Sequence, residues 1–191
     1  MPKKLIVFDM DDVLWDLNDK ASKMTGISLS KLTTFSVLEN QNLTENEKQS
    51  MLATYHDTNL YKDIVFKDDI VNLVNQLHRC DDCDVKIISN CVSQEVADLK
   101  RQQLHNVLEL SDKDIILHVI HIQDSKKKAL PSGIHLFIDD SPHNIALSGA
   151  MHCIMPAKQW NNVLIDGCLN GIYVERPSSD KELYNIVMKY V

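Results

Sequence analysis

Two acids two residues apart, Asp9 and Asp11, stand where the apolar run Leu5-Ile6-Val7-Phe8 ends. Four apolar residues suit a short buried strand. Alternate residues of an extended segment share a side, which brings Asp9 and Asp11 close enough to share a cation. The arrangement recurs at Leu136-Phe137-Ile138, which runs into Asp139-Asp140. A third strand, Val85-Lys86-Ile87-Ile88, ends in the polar groups Ser89 and Asn90. Ligands of open α/β sheets collect at the carboxyl ends of strands, so acids and a hydroxyl at three such ends describe one candidate site.

Other reactive residues are weaker signals. Cys80-Asp81-Asp82-Cys83 has metal-clip spacing but neither a second pair nor a suitably spaced His, and reads as a polar turn before the Val85 strand. Cys91 follows Ser89-Asn90 and, as a nucleophile, would need a base that the sequence does not identify. His118 and His121 lie three apart on an extended segment and so face opposite ways, which argues against a shared metal. Lys126, Lys127 and Lys128 form a run of the kind that is usually a solvated face.

The elements that must position these groups alternate between strand and helix. Strands are expected near residues 5–9, 85–89, 115–122, 136–140, 152–155 and 172–175. Between the first two lies a long segment without strand signal, with helical stretches at 19–24 (ended by Gly26), 28–38 and 45–56 (capped by Thr44). The stripe Ile70, Leu73, Val74, Leu77 predicts a helix beginning at Asp68. Ser93 caps another over 94–110, with Val96, Leu99, Leu104 and Val107–Leu108 inward. Pro142 starts a short one, and residues 179–191 close the chain as a helix. This pattern predicts an α/β, Rossmann-like parallel sheet flanked by helices.

The strand-end residues resemble the haloacid dehalogenase (HAD) superfamily of phosphotransferases. Asp9-Met10-Asp11 is similar to its first motif, Ser89 to its second, one of Lys126, Lys127 and Lys128 to its third, and Asp139-Asp140 to its fourth. Within it, Asp9-Met10-Asp11-x-Val13-Leu14 and Ile138-Asp139-Asp140-Ser141-Pro142-His143-Asn144 resemble the 5'(3')-deoxyribonucleotidases, and Pro156 through Asn161 is loosely similar to a stretch with a Trp-Asn pair after their last core strand. Asp12 is a departure, because those nucleotidases usually carry Gly there.

The resemblance implies a core of residues 1–14 and 68–191 and a small helical cap insert, residues 15–67, after the first strand. It implies that Asp9 attacks phosphorus to form an aspartyl-phosphate and that Asp11 is the acid and base. Ser89, Asn90 and a lysine, Lys128 or Lys126, would bind phosphate. Mg²⁺ would be held by Asp9, the backbone carbonyl of Asp11, Asp139 and Asp140. The expected activity is hydrolysis of a small phosphomonoester, with (deoxy)nucleoside monophosphates preferred. A sugar phosphate, a phosphoprotein or a polynucleotide 3'-phosphate is the alternative substrate, and a non-catalytic HAD-like binding protein the alternative class.

Composition narrows these choices. Hydrophobic residues at 44% and charged residues at 25% describe an ordinary globular chain. A net charge of −7 disfavours long nucleic acid, whose binding runs on Lys and Arg. The sequence has no apolar stretch of membrane-spanning or signal-peptide length. An odd count of five cysteines fits a reducing compartment, and a cytoplasmic location is expected.

Overall fold

A computed structural model of the chain describes residues 2–120, 130–162 and 167–191. Its centre is β1 (Lys4–Asp9), in a sheet ordered β3-β2-β1-β4-β5-β7-β6. β2 (Cys83–Cys91) and β3 (Ile115–Val119) lie on one side of β1, and β4 (Ile134–Ile138), β5 (His152–Ile154) and β7 (Ile172–Glu175) on the other, all parallel. Short β6 (Cys168–Leu169) pairs antiparallel with β7. That hairpin was not expected, although its turn is Asn170-Gly171 with both φ angles positive (50° and 83°), the backbone that this dipeptide favours.

From β1 the chain builds outward through β2 and β3, then returns to the other side of β1 as β4. Such a reversal leaves a crevice at the carboxyl ends of the two strands on either side of it. The register pairs Asp9 with Ile88 and Phe8 with Ile138, so Ser89 and Asp139-Asp140 emerge beside Asp9.

β1 is buried on both faces. Ile6 and Phe8 join a large apolar cluster with α3 (Asp68–His78), α4 (Gln94–Val107) and α6 (Asp180–Tyr190), while Val7 packs with Ile88, Phe137 and Ile145 of α5 (Pro142–Leu147). The predicted stripe of α3, Ile70, Leu73, Val74 and Leu77, is fully inside. Burying each such side chain contributes roughly 1.5–3 kcal/mol. α4 carries the expected Ser93 cap, which accepts from the Val96 N–H.

The two ends of the segment 15–67 are tied together by the Lys67 N–H, which donates to the Leu14 carbonyl (2.9 Å). α1 (Leu17–Thr25) ends at Gly26 in the left-handed conformation, and α2 (Glu45–His56) begins with a Thr44–Glu47 capping box. The helix expected over 28–38 is absent: one 3₁₀ turn, Leu29–Lys31, is followed by irregular chain. The Thr34 hydroxyl donates to the Ser36 carbonyl, a local bond that competes with a helix, and Phe35 and Leu38 are exposed while Leu32 is buried, so the apolar residues do not share one face that would dock a helix. Trp15, Leu32, Leu43, Met51, Leu60 and Tyr61 share one apolar cluster with α3 and α4. Among the described residues, no helix is long and apolar enough to cross a membrane.

Candidate active site

Asp9, Asp139 and Asp140 are all buried, and each turns a carboxylate oxygen to a common point, these atoms lying within 4.8 Å of one another. Like charges at that spacing repel strongly away from water, so the trio suits a hard cation taking oxygen ligands. Its geometry is fixed from behind. Asp139 Oδ1 accepts from the Ser141 N–H (2.8 Å), and the Asn144 amide reaches both Asp139 oxygens. Trp160 Nε1 donates to Asp140 Oδ2 (2.9 Å), and Asn161 Nδ2 donates to the Asp140 carbonyl. The Trp160-Asn161 pair thus buttresses Asp140.

The side chain of Asp11 is not one of the three converging carboxylates. β1 stops at Asp9, so the strand's alternation no longer sets where Asp11 points. Its carboxylate accepts instead from Trp15 Nε1 (2.9 Å), Ser89 Oγ (3.1 Å) and Lys100 Nζ (2.5 Å). Asp9 and Asp11 nevertheless line the same cleft.

Lys100 is the residue that sequence reasoning missed. It is 1% exposed, and its Nζ also donates to Ser89 Oγ (3.0 Å) and the Asn90 carbonyl (3.1 Å) and lies over the Tyr61 ring (5.2 Å). A buried ammonium is tolerable only when paired and hydrogen-bonded. Its signal is the break in a helical stripe: Val96, Lys100 and Leu104 lie four apart on the buried face of α4. The expected lysines, Lys126 and Lys128, lie outside the described residues, as do Lys127 and His121.

Asp12 has φ +57°, a left-handed conformation that Gly meets without cost and Asp tolerates. Burial pushes the Asp12 carboxyl up to about 7, against the pull of Lys158 and the Asn18 backbone N–H. Asn18 grips it through that N–H and through Nδ2 (2.8 Å), and in turn accepts from the Tyr55 hydroxyl. Burial pushes the Cys91 thiol up to about 11, which leaves it ill suited to attack. The Cys80 and Cys83 thiols are free, and among the described residues the Asp trio alone groups as metal ligands would.

Asp9, Asp11, Asp12 and Asp140 border a cleft of about 260 Å³. Asp9, Asp11, Asp12, Asn90, Asp140 and Asn144 form its floor, and Leu17, Asn18, Leu52 and Tyr55 with residues 35–38 its wall.

No protein-family model matches the sequence, and no curated protein matches it. Solved structures do resemble it. A haloacid dehalogenase-like family hydrolase from Xanthomonas campestris matches with a TM-score of 0.57 at 13% identity, covering 99% of this chain and 96% of that one. D,D-heptose 1,7-bisphosphate phosphatase from B. bronchiseptica, solved with magnesium and phosphate, matches with 0.54 at 12%, over 98% and 99%. β-Phosphoglucomutase from Clostridium difficile matches with 0.50 at 18%, over 100% and 97%. The chain therefore has the α/β, Rossmann-like fold of the HAD-like hydrolases.

Proposed function

We propose that this protein is a Mg²⁺-dependent phosphomonoester hydrolase working through an aspartyl-phosphate on Asp9, with nucleoside monophosphates as preferred substrates. The observation that carries this reading is a cation-seeking trio, Asp9, Asp139 and Asp140, in the same strand-end crevice as the Ser89–Lys100 pair. Phosphoryl transfer asks for little else: an aligned nucleophile, an acid for the leaving oxygen and positive charge on the equatorial oxygens. We assign residues 1–14 and 68–191 to a core, residues 15–67 to a cap, and the protein to the cytoplasm.

Asp9, Asp139, Asp140 and the Asp11 carbonyl would hold Mg²⁺, which when bound offsets the repulsion between carboxylate and phosphoryl oxygens. An Asp9 oxygen attacks phosphorus as the phosphorus–oxygen bond to the leaving group breaks, and Asp11 delivers the proton that makes the departing oxygen an alcohol. An entering phosphoryl group would draw Ser89 Oγ and Lys100 Nζ from Asp11 to its own oxygens, freeing Asp11 to carry that proton. Water then attacks phosphorus, Asp11 takes its proton, and the bond to Asp9 breaks to release phosphate. The test is phosphate release from a panel of phosphomonoesters with and without Mg²⁺. Release that needs Mg²⁺ and is fastest from nucleotides is expected; none from any ester would overturn the reading.

A further inference from the structure

Residues 15–67 hold five Phe, Trp and Tyr rings; Phe66 packs against the large apolar cluster and does not line the cleft, and the surroundings of the other four separate them sharply. Trp15 is 1% exposed, with its Nε1 committed to Asp11. Tyr61 is buried against it edge-on (centroids 6.2 Å apart) and lies over Lys100. Tyr55 reaches the cleft, but its hydroxyl is held by Asn18. Phe35 alone of the four is both on the cleft wall and open, 45% exposed, with Leu38 near it in the chain at 61%. Scattered exposed apolar side chains are ordinary on a surface; these two face a cleft whose floor is acidic.

The charge around the cleft is as informative as its rings. Asp9, Asp11, Asp12 and Asp140 line it, and no Lys, Arg or His does among the described residues. Lys100 stands behind Asp11, where it serves Ser89 and the Asn90 carbonyl rather than the wall. A phosphoryl group at the floor therefore has partners, whereas among the described residues the wall offers a second anion farther out only apolar side chains and the neutral Asn18 and Ser36. Burying such an anion unpaired is costly, while a flat neutral group would cover Phe35 at a gain.

We infer that Phe35 is the specificity-determining residue of this cleft, selecting phosphomonoesters with a flat, neutral leaving group and rejecting those with a second anionic group. The inference rests on the phosphatase reading above. Its test compares kcat/KM for a nucleoside monophosphate, glycerol phosphate and a hexose bisphosphate, in wild type, Phe35→Ala and Phe35→Trp. The three are alkyl esters, so differences in leaving-group chemistry are small. Wild type should prefer the nucleotide over both others, and Phe35→Ala should cut its preference over glycerol phosphate about tenfold, the scale of one base–ring stack. Phe35→Trp should keep it. An unchanged preference in Phe35→Ala, or a bisphosphate used as well as the nucleotide, would overturn the inference. Equilibrium binding of the nucleoside monophosphate separates the two possible failures. Binding that Phe35→Ala weakens, with no ester hydrolysed, overturns the phosphatase reading and supports Phe35 only as the contact that selects the bound nucleotide; neither binding nor hydrolysis overturns both.

Discussion

The floor of the cleft lies at the carboxyl edge of the sheet, where Asp9 ends β1, Asn90 is near the end of β2 and Asp140 lies just past β4. The wall over it includes residues 35–38, which belong to no helix or strand. Asp9 is anchored in a strand buried on both faces, and the carboxylates of Asp11, Asp12 and Asp140 are held by hydrogen bonds from Lys100, Asn18 and Trp160. Phe35 and Leu38 are half open and can change at little cost to stability. The contrast teaches a division of labour: the rigid floor fixes what reaction occurs, and the adaptable wall fixes on what. Substitutions on the floor should therefore cost turnover of every ester, and substitutions on the wall should change the choice among them.

The largest effect should come from Asp9→Asn. It should lower turnover of any phosphomonoester by more than about a hundredfold, because the covalent route is lost, with the melting temperature held or raised. Retention of more than one part in about a hundred would remove Asp9 as nucleophile.

Lys100→Met should come next. Losing one preorganised donor costs about a hundredfold in turnover, and breaking its buried pair with Asp11 should cost about 3 kcal/mol in urea unfolding, the low end of the range because Asp11 is partly exposed. A greater loss of turnover in Lys126→Ala or Lys128→Ala would move the phosphate-binding cation to that segment.

Mg²⁺ should stabilise the floor itself. At about a hundred times its dissociation constant it would add roughly 2.7 kcal/mol, seen as a rise in melting temperature. The rise should vanish in Asp139→Asn; its survival there would place the ion elsewhere.

The smallest effect belongs to the wall's support. Thr44→Ala removes the cap of α2, the helix that carries Leu52 and Tyr55, and should cost about 1 kcal/mol of stability. A loss of turnover on all esters far beyond that of unfolding would blur the division between wall and floor.

How much of this was legible in the sequence follows the same division. A central parallel strand must be apolar throughout, so acids at its end stand out, and Asp9, Ser89 and Asp139-Asp140 could be placed with their order along the chain. The caps at Thr44 and Ser93 and the stripe of α3 were equally readable, because their spacing is set by the helix period. Asp11 was harder: strand alternation was carried two residues past Asp9, beyond the strand's end. Lys100 was overlooked because a lysine within a helix is ordinarily solvent-facing, and only its place between Val96 and Leu104 marks it as buried. The wall was misread as a helix over 28–38, since irregular chain has no period to detect and its course depends on contacts with the core. The Asp12 backbone was likewise hidden, as positive φ in a non-glycine residue follows from its setting, here the grip of Asn18.

The central claim is that phosphorus passes through Asp9, and trapping that intermediate tests it most directly. Asp11→Asn should still allow attack on an aryl phosphate, whose leaving group needs no proton, but should slow the water that releases phosphate. Acid-quenched protein, digested and examined by mass spectrometry, should then carry one phosphoryl group on the peptide containing Asp9. Phosphate release from wild type without that adduct in Asp11→Asn, or with the phosphoryl group on another residue, would contradict the account.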